Sequence, residues 1–251
     1  EVARQNGLAD SLVDRLLLPS GRLENIISGV AAVAELTDPV GETIEMHTLP
    51  NGLKVGRRRV PLGVIGAIYE SRPNVTADIS TLCLKSGNAV ILRGGSESLN
   101  SNIAIVKAIK GAISDTSVPD DSVQLVESTD RSLVDRMLKM REFIDLMIPR
   151  GGQALIDRVS ADALMPTVTG GIGVCHTYVD KSASLDMAIN VAFNAKVSRP
   201  SVCNALDTLL VHRGTADVFL PEIARRFGKA GVTMRCDKRS FNVVNSIEAV
   251  R

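Results

Sequence analysis

From Gly63 onward, short apolar segments alternate with longer segments of helical periodicity. A short apolar run is typical of a strand buried on both faces, and helices connect such strands by right-handed crossovers. The pattern predicts an α/β fold with a mostly parallel sheet. Strands of the first sheet are predicted at 64–69, 89–92, 123–126 and 144–148, with helices at 75–85, 100–113, 129–140 and 153–159. A second α/β unit begins with strands at 174–179 and 205–211, helices at 185–195 and 216–229, and an extended segment at 232–235.

Before Gly63 the pattern is different. Apolar residues recur at helical spacing over 12–17 and 23–30. Segments 43–46 and 53–60 flank Asn51-Gly52 and predict a β-hairpin, because Asn-Gly supplies the two positive-φ positions of a tight turn. The three arginines at 57–59 fit a solvated edge strand, with phosphate or nucleic-acid contact as the alternative.

Charge and composition exclude several classes of protein. Lys and Arg number 29 and Asp and Glu number 28, which argues against a dedicated nucleic-acid binder. No apolar run approaches the ~18–20 residues of a membrane span. The four cysteines form no CxxC pair, which favours a reducing compartment. With no signal-peptide pattern at its start, we expect the chain to be cytoplasmic, with neither nucleic acid nor membrane as a partner.

The loops that follow the predicted strands are candidates for ligand binding, because parallel sheets bind ligands where strands end and helices begin. Four such loops, 70–74, 93–97, 149–152 and 169–173, include three with Gly pairs and three with Arg. Gly lets backbone N–H groups approach an anion, so the set indicates a phosphate-bearing ligand. For any single loop, a Gly pair that only ends a strand is the simpler interpretation.

Familiar catalytic motifs are absent from the sequence. It contains no GxGxxG, no GxxxxGK[ST], no HExxH and no GxSxG. His47, His176 and His212 lie far apart, so we predict no metal site.

Cys203 differs from the other cysteines. Cys83 and Cys175 stand within apolar helix-like and strand-like segments, which is typical of core packing. Cys203 instead precedes a strand, in a loop near Lys196 and Arg199, and cations lower the pKa of a thiol. This local context supports a nucleophile and a buried structural cysteine equally.

Four long motifs make the sequence recognisable. They are RVPLGVIGAIYESRPNVTADISTLCLKSGNAVILRGGSE at 59–97, IPRGG at 148–152, TGGIGVCHTYVD at 169–180, and NAK-x-x-RPSVCNALDTLLVH at 194–212. With them the chain resembles the γ-glutamyl phosphate reductases (glutamate-5-semialdehyde dehydrogenases), a family of the aldehyde dehydrogenase superfamily. The resemblance covers nearly the whole chain.

The resemblance implies an aldehyde dehydrogenase-like fold. We expect a parallel-sheet cofactor-binding domain at 1–169, with a bridging β-hairpin at 41–60 as its oligomerisation element. The N-terminal part of an α/β catalytic domain is expected at 170–251. This second domain is expected to be truncated, because relatives continue past the position of Arg251 with two further Gly-rich motifs. The start of the chain is also expected to be clipped.

The resemblance also implies roles for particular residues. Cys203 is the catalytic thiol, and Asn74, in the loop after the first strand of the sheet, is the oxyanion asparagine. Arg93 occupies a basic position near the adenosine ribose, where its planar fork suits the 2′-phosphate of NADP. The cofactor-binding residues are Arg93, Gly94, Gly95, Ser96, Arg150, Gly151 and Gly152. Arg72 and Arg199 are hypothetical contacts to substrate phosphate or carboxylate, with surface or interdomain salt bridges as the alternative.

The implied reaction is the reduction of L-glutamate 5-phosphate to L-glutamate 5-semialdehyde by NADPH, with release of phosphate, through a cysteine thioester in L-proline biosynthesis. Hydrolytic aldehyde dehydrogenases carry a water-activating Glu just before the Gly pair that corresponds to Gly170-Gly171. Here Val168 and Thr169 fill that place, which suits a reaction with phosphate and not water. Implied partners are the small-molecule substrate, further copies of the chain in a homo-oligomer, and glutamate 5-kinase through functional coupling.

Two other hypotheses stay open from the sequence. One is another acyl-phosphate or CoA-dependent aldehyde dehydrogenase. The other is a non-catalytic, truncated nucleotide-binding module.

Overall fold

The computed structural model describes residues 13, 16–70, 72–171, 173–200, 202–247 and 250. The chain divides into two compact units, Glu1–Gly170 and Gly171–Arg251. The helical segment predicted at 12–17 lies largely outside the described residues, whereas the one at 23–30 forms the middle of a helix. The assignment of the units as cofactor-binding and catalytic domains stays a prediction.

The first unit has the alternating strands and helices that the sequence pattern predicts. In chain order its elements are α1 (Ser20–Glu35), β1 (Thr43–Thr48), β2 (Lys54–Arg58), β3 (Val64–Tyr69), α2 (Asn74–Lys85), β4 (Ala89–Arg93), α3 (Leu99–Ile113), β5 (Val123–Leu125), α4 (Ser132–Lys139), β6 (Leu146–Arg150) and α5 (Gln153–Asp162). One-turn 3₁₀ helices lie at Ser96–Ser98 and Asp120–Ser122.

Four of these strands form a parallel sheet in the order β5-β4-β3-β6. The chain adds β4 and β5 on one side of β3, and then returns to add β6 on the other side. This reversal places a topological switch point between the carboxyl ends of β3 and β6. Ligands of open α/β sheets bind at such points.

Side chains of β3 alternate between the two faces of the sheet and reach two separate cores. Ile65, Ala67 and Tyr69 pack with residues of α2 and α3 on one face. Ile68 packs with residues of α4 and α5 on the other face. Because helices cover both faces, β3 is buried at every residue but its first, which explains its continuous apolar sequence.

Two predictions about helix starts in this unit are wrong. Asn74 does not lie in the loop after β3 but is the first residue of α2. Thr129 does not begin α4, which starts at Ser132, where the Asp130 carboxylate accepts the backbone N–H of Ser132 at 2.8 Å. A carboxylate at this position satisfies a backbone donor that has no partner within the helix.

The hairpin of β1 and β2 is antiparallel, but its turn is not the predicted two-residue Asn-Gly turn. Gly52 donates its N–H to the carbonyl of Leu49 at 2.8 Å, and Leu49 donates to the carbonyl of Leu53 at 2.8 Å. The loop therefore comprises Pro50, Asn51 and Gly52, with Gly52 at φ +83°. Pro at the second turn position and a left-handed Gly at the fourth suit a three-residue hairpin loop.

Within its described residues, the second unit pairs two parallel strands with three helices. In chain order these are β7 (Cys175–Val179), α6 (Leu185–Val197), β8 (Leu206–Val211), α7 (Ala216–Lys229) and α8 (Lys238–Val244). Ile189 of α6 and Phe219 and Ile223 of α7 are almost fully buried in its core. Across the described parts of both units, no helix combines the length and apolar character that crossing a bilayer requires.

The end of the second unit departs from the sequence prediction. Within the described residues, segment 232–235 makes one isolated bridge, between Met234 and Val250. Helix α8 follows it, although the apolar periodicity did not predict a helix there. The Asp237 carboxylate starts α8 by accepting the N–H of Ser240 at 2.8 Å.

Candidate active site

In the first unit, three of the predicted ligand loops leave the same edge of the sheet. They follow β3, β4 and β6, which are parallel and adjacent. The fold therefore brings together the segments at 70–74, 93–97 and 149–152. The fourth loop, 169–173, falls at the junction of the two units in the sequence.

Arg93, at the end of β4, points its guanidinium into the protein. Its side chain is 8% exposed and donates to the carbonyls of Gly94 at 2.6 Å and Thr129 at 3.3 Å. The buried Nε of Arg93 has no hydrogen-bond partner. A buried donor without an acceptor is costly, so this position suits an added anionic or polar group. The contact of Arg93 with a 2′-phosphate stays a prediction.

The Gly pair after Arg93 is buried and tightly packed. A Cβ on Gly94 would lie 2.1 Å from Nδ2 of Asn102, and one on Gly95 would lie 2.3 Å from Oε1 of Glu97. Ser96 is exposed, and its hydroxyl donates to the Glu97 carboxylate at 3.2 Å. Gly94 therefore has a packing reason, because Asn102 is fully buried, whereas the Glu97 carboxylate near Gly95 is the end of a flexible side chain.

The backbone of the loop after β6 donates a hydrogen bond to a carboxylate of the protein itself. The strand runs to Arg150, two residues beyond its predicted end. The N–H of Gly152, at the start of α5, donates to Oε2 of Glu70 at 2.8 Å. A Cβ on Gly151 would lie 2.7 Å from the same carboxylate oxygen. This helix N-terminus thus binds an anionic oxygen of the protein itself. The contact of the loop with a cofactor pyrophosphate stays a prediction.

Asn74 bonds to a carboxylate one helical turn away. Its Nδ2 donates to Oδ2 of Asp78 at 3.1 Å. Burial raises the pKa of the Asp78 carboxyl, and the hydrogen bond from Asn74 opposes that rise. An amide NH₂ has two hydrogens, so the Asp78 bond leaves one for another acceptor. Arg72 is half-buried two residues before Asn74.

Cys203 lies in the second unit, in a turn three residues before the start of β8 at Leu206. The N–H of Ala205 donates to the carbonyl of Val202 at 3.1 Å, which closes the turn. Cys203 is exposed, so the alternative of a buried structural cysteine is wrong. By contrast, burial raises the pKa of the Cys83 thiol to about 11, which makes that thiol unreactive.

Neighbours hold the backbone of Cys203. Its carbonyl accepts the thiol of Cys175 at 3.4 Å, and a Cβ on Gly173 would lie 3.1 Å from the same oxygen. The ammonium of Lys196 donates to the carbonyl of Leu206, the first residue of β8, at 2.8 Å. Lys196 therefore fixes the strand that follows Cys203. Arg199 is exposed in the preceding turn.

Sequence reasoning missed three features of the first unit: the Glu70 carboxylate at α5, the Asp78 partner of Asn74, and a buried polar chain below Gly94. The i, i+4 spacing of Asn74 and Asp78 is a signal that predicts their contact. Glu70 gives no comparable signal, because its partner is distant in the sequence. Among the residues that the structure describes, no group of three His, Cys, Asp or Glu side chains is placed to hold a metal.

Comparisons with known proteins find related sequences and structures. The profile of the aldehyde dehydrogenase family matches residues 20–243. A γ-glutamyl phosphate reductase of Dehalococcoides mccartyi is 52% identical over 97% of this chain and 58% of its own length. The crystal structure of γ-glutamyl phosphate reductase from Thermotoga maritima is 48% identical, with a TM-score of 0.89 over 98% of this chain and 59% of that one.

A more distant structure shares the fold alone. An engineered glycolyl-CoA reductase, solved with bound NADP⁺, is 20% identical, with a TM-score of 0.66 over 96% of this chain and 59% of that one. The chain thus spans a little under three fifths of the length of each of these proteins.

Proposed function

The chain belongs to the aldehyde dehydrogenase family, and on that premise we propose that it supplies the cofactor-binding unit and the reactive cysteine of a γ-glutamyl phosphate reductase. The reaction is the reduction of L-glutamate 5-phosphate to L-glutamate 5-semialdehyde by NADPH, a step of L-proline biosynthesis. The observation that carries this proposal is the 52% identity to a γ-glutamyl phosphate reductase along 97% of the chain. Since the chain spans 58% of that relative, the activity of the whole protein is itself part of the proposal.

Cys203 is the nucleophile in this proposal, and its exposure at a turn supports that role. Its thiolate attacks the acyl carbon of the acyl phosphate, the bond to the phosphate oxygen breaks, and a thioester forms as inorganic phosphate leaves. The amide of Asn74 is proposed to donate its second hydrogen to the oxyanion that develops. After reduction, the carbon–sulfur bond of the thiohemiacetal breaks, and the aldehyde leaves with the thiolate restored.

NADPH, when bound, supplies the hydride. The residues proposed to hold it are Arg93, Gly94, Gly95, Ser96, Arg150, Gly151 and Gly152. Two observations support the fit: the unpartnered buried Nε of Arg93, and the anionic oxygen that the N–H of Gly152 already binds. The engineered reductase of the same fold, which binds NADP⁺, also supports it.

The segment before Gly170 supports transfer to phosphate and not to water. No Asp or Glu occurs between Asp162 and Asp180, so this stretch carries no carboxylate to activate water. Val168, next to Thr169, is exposed and apolar. A thioester formed here is therefore proposed to exchange with phosphate.

The exposed hairpin is the proposed oligomerisation element. Every residue of β1 and β2 is exposed, and each of these strands pairs only with the other among the described residues. A lone two-stranded hairpin is marginally stable in water, so packing against another copy would stabilise it. Functional coupling to glutamate 5-kinase, which makes an acyl phosphate, is proposed from the nature of the substrate.

The test is NADP⁺ reduction with L-glutamate 5-semialdehyde, with and without inorganic phosphate, alongside mass spectrometry of the acylated thiol. Cys203→Ser is the critical variant, and Cys83→Ser is its matched control. Phosphate-dependent activity and an acyl adduct that only Cys203→Ser abolishes support the proposal. Activity with CoA in place of phosphate reassigns the chain to another aldehyde dehydrogenase. If neither reduction nor acylation occurs, the family assignment stands, but the 251 residues do not catalyse the reaction by themselves.

The arginine contacts have a separate test. Arg72→Ala and Arg199→Ala are each expected to raise the KM for the acyl substrate, because each would remove a cation from a phosphate or carboxylate. An unchanged KM for either variant eliminates that arginine as a substrate contact.

A further inference from the structure

A chain of buried hydrogen bonds runs beneath the loop that follows β4. The Tyr69 hydroxyl lies 2.7 Å from the Thr76 hydroxyl, which donates to Oδ1 of Asn102 at 2.9 Å. Nδ2 of Asn102 donates to the Ser98 hydroxyl at 3.1 Å, and Ser98 donates to the carbonyl of Gly95 at 3.1 Å. The four side chains are at most 1% exposed.

The direction of the whole chain follows from its chemistry. A Thr hydroxyl has one hydrogen, and Thr76 donates it to Asn102. Tyr69 must therefore be the donor to Thr76, and every bond points toward the carbonyl of Gly95. Burial raises the pKa of the Tyr69 phenol to about 12, so this donor stays protonated at neutral pH.

The chain joins separate elements of the first unit. Tyr69 ends β3, Thr76 lies in the first turn of α2, and Asn102 lies in the first turn of α3. Asn102 makes the central connection, with one bond from α2 and one to Ser98. Its Nδ2 also fills the space where a side chain on Gly94 would stand, at 2.1 Å from the added Cβ. The backbone of the loop thus rests directly on Asn102.

We infer that Asn102 is a positioning residue for NADPH, acting through the buried chain that holds the Gly94-Gly95 loop in its cofactor-binding shape. This inference rests on the proposed function. Binding groups must be held in place by neighbours whose own conformations are locked, and a fully satisfied buried network does this. The network also ties the loop to the helix that Asn74 begins.

The molecule offers a matched control in Asn88. Asn88 is 6% exposed and, like Asn102, connects separate segments through its amide. Its Oδ1 accepts the N–H groups of Leu62 and Gly63 at 2.6 and 2.9 Å. These contacts lie at the amino end of β3 and β4, the opposite edge of the sheet. Asn88→Ala should therefore destabilise the unit without disturbing the loop.

The experiment is a titration of the 251-residue chain with NADPH, followed by cofactor fluorescence, together with urea unfolding of each variant. We expect Asn102→Ala to raise the NADPH Kd by about tenfold, which corresponds to about 1.4 kcal/mol. Asn88→Ala should change the Kd by less than about twofold, although both variants lose stability because each leaves buried groups unpaired.

Each outcome decides between the hypotheses. If the unaltered chain does not bind NADPH, the proposed function fails and this inference fails with it. If the unaltered chain binds and the two Asn variants weaken binding equally, the proposed function stands and the positioning role of Asn102 is wrong. If Asn102→Ala does not fold, Ser98→Ala removes the last two bonds of the chain, the one from Nδ2 of Asn102 to Ser98 and the one from Ser98 to the carbonyl of Gly95. It should then raise the Kd at unchanged secondary structure, and an unchanged Kd refutes the role.

Discussion

Gly94→Ala should be among the most damaging single-methyl additions in the first unit. The added Cβ would lie 2.1 Å from Nδ2 of Asn102 and 3.1 Å from a ring carbon of Tyr69. Non-bonded heavy atoms prefer roughly 3.5 Å, so the Asn102 amide must retreat by more than about 1 Å. Its bonds with Thr76 and Ser98, now 2.9 and 3.1 Å, would then break.

The magnitude follows from these contacts. Overpacking a buried site costs about 1–3 kcal/mol. Each buried hydrogen bond that is lost adds about 1 kcal/mol. We therefore expect Gly94→Ala to lower the free energy of unfolding by about 3–5 kcal/mol. In an Asn102→Ala background the obstructing amide is gone, and the same change should cost less than about 1 kcal/mol.

The assay is urea unfolding followed by tyrosine fluorescence. The chain has two tyrosines and no tryptophan, so a Tyr178→Phe background leaves Tyr69 as the reporter of the first unit. The double-mutant cycle compares four chains in this background: one with neither further change, one with Gly94→Ala, one with Asn102→Ala and one with both. A cost of Gly94→Ala below about 0.5 kcal/mol, the level of a neutral surface change, would refute the reasoning. So would an equal cost in both backgrounds.

Three further predictions follow from the site. Glu70→Gln should lower the NADPH Kd about two- to fivefold, because it removes a negative charge from the helix N-terminus at Gly152. A Kd that rises would show instead that the carboxylate assists binding. Iodoacetamide at neutral pH should modify the exposed Cys203 readily. Cys83 should react at least about a hundredfold more slowly than an ordinary thiol, because burial raises its pKa from 9.0 to about 11. Peptide mapping that finds equal labelling of the two cysteines contradicts this prediction. Folding raises the pKa of Tyr69 from 10.0 to about 12, so between these pH values the folded chain keeps a proton that the unfolded chain loses. The free energy of unfolding should therefore fall as the pH rises through this window, by up to about 2–3 kcal/mol. Urea unfolding across this pH range should show a smaller fall in Tyr69→Phe, and an identical fall would contradict the assignment.

The sheet was predictable because its signals are local. Val64–Tyr69 has the bounds that its apolar run predicts, since a strand covered on both faces needs an unbroken apolar sequence. Ala216–Lys229 likewise matches its predicted bounds. The wrong predictions of secondary structure also have local causes. The hairpin loop includes Pro50 because turn geometry depends on backbone angles that the Asn-Gly pair alone does not specify.

The candidate site was predictable only in part. Motif resemblance proposed Cys203, Asn74 and the Gly pairs as site residues, and these roles stay predictions. The fold gathers three of the predicted loops at one edge of the sheet. The resemblance did not show that the Arg93 side chain turns inward to two backbone carbonyls, nor that the Glu70 carboxylate accepts the N–H of Gly152. The contacts of Arg93 with Thr129 and of Glu70 with Gly152 join residues whose pairing depends on how neighbouring strands are aligned.

By itself, the sequence determined the α/β class and the family, because periodicity and motifs are carried by residues close together in the chain. Only the tertiary structure decided the exposure of Cys203, the strand order that sets the switch point, and the path from Tyr69 to the carbonyl of Gly95. These depend on contacts between segments far apart in the sequence. Each such contact is selected by packing and by the need to satisfy buried polar groups, which no single segment encodes.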